Sequence, residues 1–365
     1  MFIPERHEEV TAEWLTEALR SGGVIGDESV REFQIEPLGA DRSRTSSLAR
    51  ITVEYDGGAE GLPGSMFVKF VSRIPGNREF AANYNLFQQE IELYKNLGDS
   101  IPLNMPKMYF GRVSENRDVA ALLLEELTGV SKESLPPAQR TLTTSETKLA
   151  MSELSKMHAR FWEDRALNEY EWLPGLDNDF RRWIYQSYDE AWAKLQDILE
   201  PAFTSAEIKI CSGLSSNLPT LMTELGSMPI TLCHGDFHPG NLLWDGLGEP
   251  KTVWTLDWQL PSRAPAVTDV ARIMGNGVAG ADLHLIRQDY LPEYHSALVS
   301  GGVTDYDYER FLNDYRHGLL DVVALMLALF ADLDFAREDF AEFIRLRVGV
   351  LTAVAVDAGC ADLIS

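Results

Sequence analysis

The sequence has few cysteines and no long apolar segment. Its three cysteines, Cys211, Cys233 and Cys360, are odd in number and far apart, which argues against a disulfide framework or a cysteine-based zinc site. The longest strongly apolar run, residues 322–331, is too short to span a bilayer and lies between two aspartates, so we predict a buried helix. The N-terminus lacks the basic start and apolar stretch of a secretory signal, so we expect a cytoplasmic protein.

Positive charge is also scarce. The 365 residues include 32 Lys and Arg against 56 Asp and Glu, which gives a formal net charge of −24 at pH 7. Such a charge repels nucleic acid and anionic lipid, and no basic run compensates for it, so we predict neither a nucleic-acid nor a membrane partner. The excess of acid is compatible with a cationic small-molecule partner, but a solubilising acidic surface is the simpler explanation.

The chain contains two parts that differ in the spacing of their apolar residues. They are separated by a stretch rich in Ser, Thr and Pro at residues 127–146. Before it, short apolar or alternating runs predict strands, and one segment has the helical spacing of apolar residues. The predicted strands are 47–55, 65–71, 105–113 and 119–127, and the predicted helix is 87–98.

After that stretch, helical spacing dominates. The predicted helices are 145–162, 179–199, 308–330 and a segment from Phe340, and the predicted short strands lie within 231–236, 241–245 and 251–258. With 45% apolar residues the chain can bury a sizeable core and divide in two. We therefore predict an α+β fold with a small sheet-rich N-terminal lobe, residues 1–127, and a larger, mainly helical C-terminal lobe, residues 128–365.

The densest group of chemically active residues is the stretch CHGDFHPGNLLW, residues 233–244. His234, Asp236 and His238 alternate along the chain, so in a strand they could ligate zinc or iron, as in a metal-dependent hydrolase. The other histidines are scattered singly, which gives a metal cage weak support.

A second interpretation is phosphoryl transfer from a nucleotide, which needs a base, oxygen ligands for magnesium and a lysine for the phosphates. Asp236 fits the base, and Asn241, five residues later, fits a neutral oxygen ligand of the metal. Asp257, in the strand TVWTLDWQ, adds a charged oxygen ligand. Lys69 lies in the predicted strand MFVKF, and Glu90 on the following helix is placed to pair with that lysine.

The segments HGDFHPGN, LDWQ, VKF and QQEIELY together resemble the aminoglycoside phosphotransferase and choline kinase group, in particular its ecdysteroid kinase-like branch. This resemblance covers nearly the whole chain and implies a protein-kinase-like fold of two lobes. It implies that Asp236 is the catalytic base and that His234 and Asp269 hold the catalytic loop. His238 takes the place where protein kinases carry a lysine close to the transferred phosphate, which implies a catalytic role, although a hydrogen-bonded loop histidine fits equally well.

The cofactors implied by the resemblance are ATP or GTP and Mg²⁺. The segment PLGADRSRTSSLARI has one glycine where a protein kinase has three, so we expect hydroxyl groups such as that of Ser43 to bind phosphate, although an ordinary polar turn fits equally well. The backbone of Glu126 would meet the adenine edge. A nucleotide-binding pseudokinase without activity is the weaker alternative, because Lys69, Glu90 and the three residues assigned to base and metal are all present.

The acceptor is a hydroxyl group of a small molecule, by the same resemblance. Four tryptophans lie among acidic residues within 161–192, and aromatic faces with carboxylates can hold a cationic amine. Aromatic residues at helical spacing are more often part of a core. Gln259, directly after the LDW strand, resembles the choline and ecdysteroid kinase pattern and permits a less charged alcohol. An amino alcohol, an aminoglycoside-like compound and an apolar alcohol are therefore all candidates.

Overall fold

The chain divides into two units in the computed structural model. The structure describes residues 1–38, 45–57, 60–128, 130, 141–246, 249–331 and 338–364, without the side chains of 338–340. The first unit, here called the sheet unit, comprises Met1–Ser100, Asn104–Gly129 and Trp258–Leu260. The second, the helical unit, comprises Ile101–Leu103, Val130–Asp257 and Pro261–Ser365.

The sheet unit is built on five antiparallel strands in the order β1-β2-β3-β5-β4. The strands are β1 (Ser29–Leu38), β2 (Ser46–Asp56), β3 (Ser65–Val71), β4 (Met108–Val113) and β5 (Ala120–Glu125). Because β3 is central, Lys69 lies opposite Leu48 of β2 on one side and opposite Leu122 of β5 on the other. A residue in this position is held by hydrogen-bonded neighbours on both sides.

Helices cover both faces of this sheet. They are α1 (Ala12–Ser21), α2 (Pro75–Asn83) and α3 (Leu86–Asn96). Val68 and Phe70 share a core cluster with Leu15 of α1, whereas Val71 shares one with Phe87 of α3. Since side chains alternate along a strand, Lys69 lies on the face of β3 that α3 covers.

The helical unit consists of helices and two pairs of short antiparallel strands. The helices are α4 (Thr144–Arg160), α5 (Asp179–Leu199), α6 (Ser205–Gly226), α7 (Val267–Gly277), α8 (Leu283–Leu285), α9 (Leu291–Ser300), α10 (Tyr308–Phe330) and α11 (Glu338–Asp357). The paired strands are β6 (Thr231–Cys233) with β9 (Ser262–Ala264), and β7 (Leu242–Trp244) with β8 (Val253–Thr255). Every residue of α7 is buried, because α10 and α11 pack against it.

The predicted contrast between a sheet-rich part and a helical part is confirmed. Residues 322–330 of the apolar run lie in α10 and residue 331 follows that helix directly. Most of the side chains of this run are buried. None of the described helices has both the length and the apolar character that crossing a bilayer would require.

The contact between α10 and α7 depends on a glycine. A Cβ atom on Gly318 would lie 2.7 Å from the carbonyl oxygen of Val267, and this close approach lets the two helices pack. We expect Gly318→Ala to lower the free energy of unfolding by about 1–3 kcal/mol, because the helices must separate to admit the methyl group. Urea denaturation measures the change.

The matched control for this substitution is Gly226→Ala at the end of α6, where an added Cβ would meet nothing within 4 Å. Alanine has the higher helix propensity, so this variant should be as stable as the parent or slightly more stable. Equal unfolding midpoints for Gly318→Ala and Gly226→Ala would contradict the importance of the close approach.

Candidate active site

The residues after β6 form a loop that is anchored by one carboxylate of α7. The backbone N–H groups of His234 and Gly235 donate to the two oxygens of Asp269, at 2.7 and 2.9 Å. Gly235 has a φ of 81°, a left-handed conformation that glycine adopts without strain. Asp269 is fully buried, so it holds the turn from the protein interior.

The His234 side chain also binds backbone. Its Nε2 donates to the carbonyl oxygen of Leu256 at 3.0 Å, and its Nδ1 accepts from the N–H of Asp236 at 3.2 Å. Burial lowers the pKa of His234, so its imidazole is neutral. Since both ring nitrogens are occupied, His234 is poorly placed to ligate a metal, and the geometry argues against a hydrolase centre made of His234, Asp236 and His238.

Asp236 lies among donors. Its Oδ1 accepts from Nε and Nη2 of Arg272, at 3.0 and 2.6 Å. Its Oδ2 accepts from Nδ2 of Asn241 at 3.1 Å and lies 3.3 Å from Nε2 of His238. Burial opposes ionisation, but the interactions with His238 and Arg272 outweigh it and hold the pKa of Asp236 well below its usual range. Asp236 is therefore a carboxylate at neutral pH.

His238 faces Asp236 with a proton-bearing nitrogen. Its Nδ1 accepts from the N–H of Gly240 at 3.1 Å, so the ring carries its proton on Nε2, the atom next to Asp236. Asp236 and His238 were each predicted from the sequence as catalytic candidates, and the structure brings their side chains together.

Arg272 is a site residue that we did not predict from the sequence. It is buried and lies on α7 three residues after Asp269, a spacing that puts both side chains on one face of a helix. One end of its guanidinium contacts Met326 of α10, and the other forms the ion pair with Asp236. A signal was available, because Arg272 is the lone basic residue in the otherwise apolar or acidic segment PAVTDVARI.

The two predicted metal ligands are joined through Leu256. The N–H of Leu256 donates to the carbonyl oxygen of Asn241 at 2.9 Å, so Asp257 follows directly on a residue bound to Asn241. The Asn241 amide nitrogen donates to Asp236, which leaves its Oδ1 as the oxygen suited to a cation. Asp257 has a φ of 62°, a left-handed conformation that is strained for a residue other than glycine and is frequent at functional sites.

Asn241 offers a neutral oxygen donor and Asp257 a charged one. Both suit Mg²⁺, which binds oxygen ligands and usually takes only a few of them from the protein.

In the sheet unit, Lys69 and Glu90 form a buried ion pair. Nζ of Lys69 lies 2.7 Å from Oε2 of Glu90 and 5.6 Å from the centre of the Phe87 ring. Phe87 and Glu90 are three residues apart on α3, so they present one face of that helix to β3. The lysine is therefore held in one direction by charge and packing together.

Glu126 and Ser43 are the other two residues predicted to bind the nucleotide. The carboxylate of Glu126 accepts from Nε of Arg50 at 2.8 and 2.9 Å, so its side chain forms a surface ion pair. Ser43 lies outside the described residues.

A second cluster of ligand-type side chains lies behind the loop. His158, Cys233 and Asp269 place one potential ligand atom each within 4.8 Å of one another. His158 is already bonded on both sides, with Nδ1 2.6 Å from the hydroxyl of Tyr294 and Nε2 3.3 Å from Asp269. Burial raises the pKa of the Cys233 thiol well above its usual value, so the cluster is a hydrogen-bonded support for Asp269.

Comparison with known proteins identifies the fold as that of kinase-like small-molecule phosphotransferases. The structure of a microcompartment-associated aminopropanol kinase matches with a TM-score of 0.55 and 13% identity, covering 97% of this chain and 99% of that one. The GDP complex of a wild-type aminoglycoside 2′-phosphotransferase matches with a TM-score of 0.51 and 13% identity, covering 95% and 99%. The predicted protein-kinase-like fold is thus confirmed.

The chain belongs to the ecdysteroid kinase-like family, whose profile matches residues 43–301. A relative in Caenorhabditis elegans, an uncharacterised kinase-like protein, is 24% identical in an alignment of 293 positions that covers 73% of this chain and 74% of the relative. The resemblance drawn from the sequence motifs is confirmed.

Because Asp269 anchors the loop, its removal should lower the free energy of unfolding by a measurable amount. Asp269→Ala leaves the buried N–H groups of His234 and Gly235 without their acceptor, and each such loss costs about 1–3 kcal/mol. We expect the free energy of unfolding, measured in urea, to fall by about 2–5 kcal/mol in total. The exposed Asp27 serves as the control, since Asp27→Ala should change stability by less than about 0.5 kcal/mol. The same unfolding midpoint for both variants would refute the anchoring role.

Proposed function

We propose that this protein transfers the γ-phosphoryl group of ATP or GTP to a hydroxyl group of a small molecule in the presence of Mg²⁺. The observation that carries this proposal is the loop after β6, where the ionised Asp236 adjoins Asn241, and Asn241 adjoins the segment of Asp257. A base beside a pair of oxygen ligands is the arrangement that phosphoryl transfer to an alcohol requires. Membership of the ecdysteroid kinase-like family supports the same reaction class.

In the proposed reaction, Oδ2 of Asp236 accepts the proton of the acceptor hydroxyl. The acceptor oxygen then bonds to the γ-phosphorus as the bond from that phosphorus to the bridging oxygen breaks, and the nucleoside diphosphate leaves. Oδ1 accepts two N–H groups of Arg272, whereas Oδ2 accepts one from Asn241, so we assign the proton transfer to Oδ2. The N–H of His238 is a donor for an oxygen of the transferred group.

The sheet unit is proposed as the nucleotide-binding part and the helical unit as the catalytic part. Lys69, oriented by Glu90, would bind phosphate oxygens, and the backbone of Glu126 would bind the adenine edge. Asn241 and Asp257 would hold Mg²⁺, which when bound neutralises charge on the phosphates. Because the Lys69–Glu90 pair and the loop around Asp236 are both intact, an active enzyme is favoured over a pseudokinase.

The proposed acceptor is an amino alcohol, an aminoglycoside-like compound or an apolar alcohol rather than an anion, and the net charge of −24 supports this choice. Three of the four tryptophans within 161–192 pack on different aromatic partners, Trp162 on Tyr306, Trp172 on Tyr170, and Trp183 on Phe180. The preference for a cationic acceptor therefore rests on charge rather than on an aromatic cage.

The base assignment predicts a defect in chemistry rather than in binding. Asp236→Asn keeps the size of the side chain but removes the proton acceptor, so the single-turnover rate should fall by roughly 10²–10⁴-fold. Nucleotide affinity should stay within about tenfold of the parent, since Asp236 does not bind nucleotide. A variant with a normal single-turnover rate, whatever its nucleotide affinity, would contradict the role of Asp236.

The metal assignment predicts a defect that depends on Mg²⁺. Asp257→Asn retains a residue type that tolerates the left-handed backbone but removes the negative charge, so turnover should be lost and the affinity for Mg-nucleotide should fall. The affinity for nucleotide measured with EDTA should change little, because no metal then bridges protein and phosphate. Calorimetric titrations with and without Mg²⁺ separate the two, and unchanged Mg-nucleotide affinity with full activity would overturn the assignment.

A further inference from the structure

Gln259 has a buried amide group that the proposed mechanism does not use. It lies two residues after Asp257, in the segment Trp258–Leu260 that belongs to the sheet unit. Its neighbour Leu260 packs against the cluster that contains Val71 and Phe87. This is the face of the sheet that carries the Lys69–Glu90 ion pair, so the segment that contains Gln259 packs against that face.

One end of the Gln259 amide is fixed by a residue from a distant part of the sequence. The hydroxyl of Thr45 donates to Oε1 of Gln259 at 2.8 Å. Thr45 is itself held at the start of β2, since its carbonyl oxygen accepts from the N–H of Ser72 at 2.8 Å. In this arrangement the NH₂ group of Gln259 points away from the Thr45 hydroxyl.

That NH₂ group is a donor without an acceptor among the described residues. Gln259 is 5% exposed, and its Nε2 is shielded from solvent and makes no hydrogen bond within the described part of the chain. Buried donors are rarely left in this state, because they lose their bonds to water without compensation. An orphaned donor next to a suspected binding site indicates that a ligand supplies the acceptor.

We propose that Nε2 of Gln259 donates to a phosphate oxygen of the bound nucleotide. A donor recognises an acceptor, and the Lys69 ammonium on the same face of the sheet is both a donor and a cation. A ligand that satisfies both must be anionic and carry several acceptor oxygens, which describes a phosphate chain. This inference rests on the proposed function, because it assumes that the sheet unit binds a nucleotide.

The test compares nucleotide binding by the full-length protein and three variants at Gln259 and Thr45. Gln259→Glu retains the size of the side chain and an acceptor for the Thr45 hydroxyl, but it replaces the donor with a negatively charged oxygen. We expect the Kd for ADP, measured by isothermal titration calorimetry with Mg²⁺, to rise about 10–100-fold, since a hydrogen bond to a charged group is lost and repulsion is added. The Kd for adenosine, which has no phosphate, should change by less than about threefold.

Two further variants separate binding from folding. Gln259→Met removes the donor without adding charge, and it should raise the Kd for ADP about 3–30-fold. Thr45→Val keeps the donor but removes the group that orients it, so it should have the smallest effect of the three. Thermal unfolding of each variant shows whether its fold is retained, and Gln259→Met carries the test if Gln259→Glu does not fold.

The outcomes distinguish this inference from the function on which it rests. Equal ADP affinity in the parent and in both Gln259 variants would overturn the assignment of Gln259 alone. Equal losses for adenosine and ADP would also overturn it, because they would show a structural role rather than a contact with phosphate. If the parent protein binds none of ADP, ATP, GDP and GTP, both the proposed function and the role of Gln259 are wrong.

Discussion

The bond between the Asp269 carboxylate and two successive backbone amides is the constraint on which the rest of the site depends. It fixes the turn at Gly235 and thereby the direction in which the side chain of Asp236 projects from the loop. His158 and Tyr294 extend this support into α4 and α9. Since Asp269 sits on a fully buried helix, the reactive loop is positioned by a rigid interior element, which is what a precise catalytic geometry requires.

The same helix also sets the charge of the reactive carboxylate. Arg272 lies three residues after Asp269 on α7 and forms its ion pair with one oxygen of Asp236, so one element provides both position and charge. Removing either partner of such a pair leaves an uncompensated buried charge. The Asp236 side chain is 24% exposed and is ionised at neutral pH. The cost of its partial desolvation is offset by Arg272, which lies on the same helix as Asp269.

Local patterns predicted most of the fold but few of the contacts. The predicted segments 179–199 and 308–330 coincide with α5 and α10, because their apolar spacing is regular and long. Helix α6 was not predicted, since Pro219 and small polar residues interrupt its pattern, and tertiary packing overrides those weak local preferences. The Thr45–Gln259 bond joins residues 214 positions apart, a separation that no local pattern reports. Lys69 and Glu90 were predictable, because a lysine on a strand and a glutamate on the following helix form a recognisable motif.

The most direct test of the central claim is to identify the product of the reaction. Incubation of the protein with ATP, Mg²⁺ and a panel of amino alcohols, aminoglycosides and apolar alcohols can be followed by ³¹P NMR. The account predicts a new phosphate monoester resonance that grows in step with ADP for at least one class of acceptor, and that is absent when ATP is omitted. Release of inorganic phosphate from ATP without any ester, or hydrolysis of a panel compound in the absence of nucleotide, would contradict it.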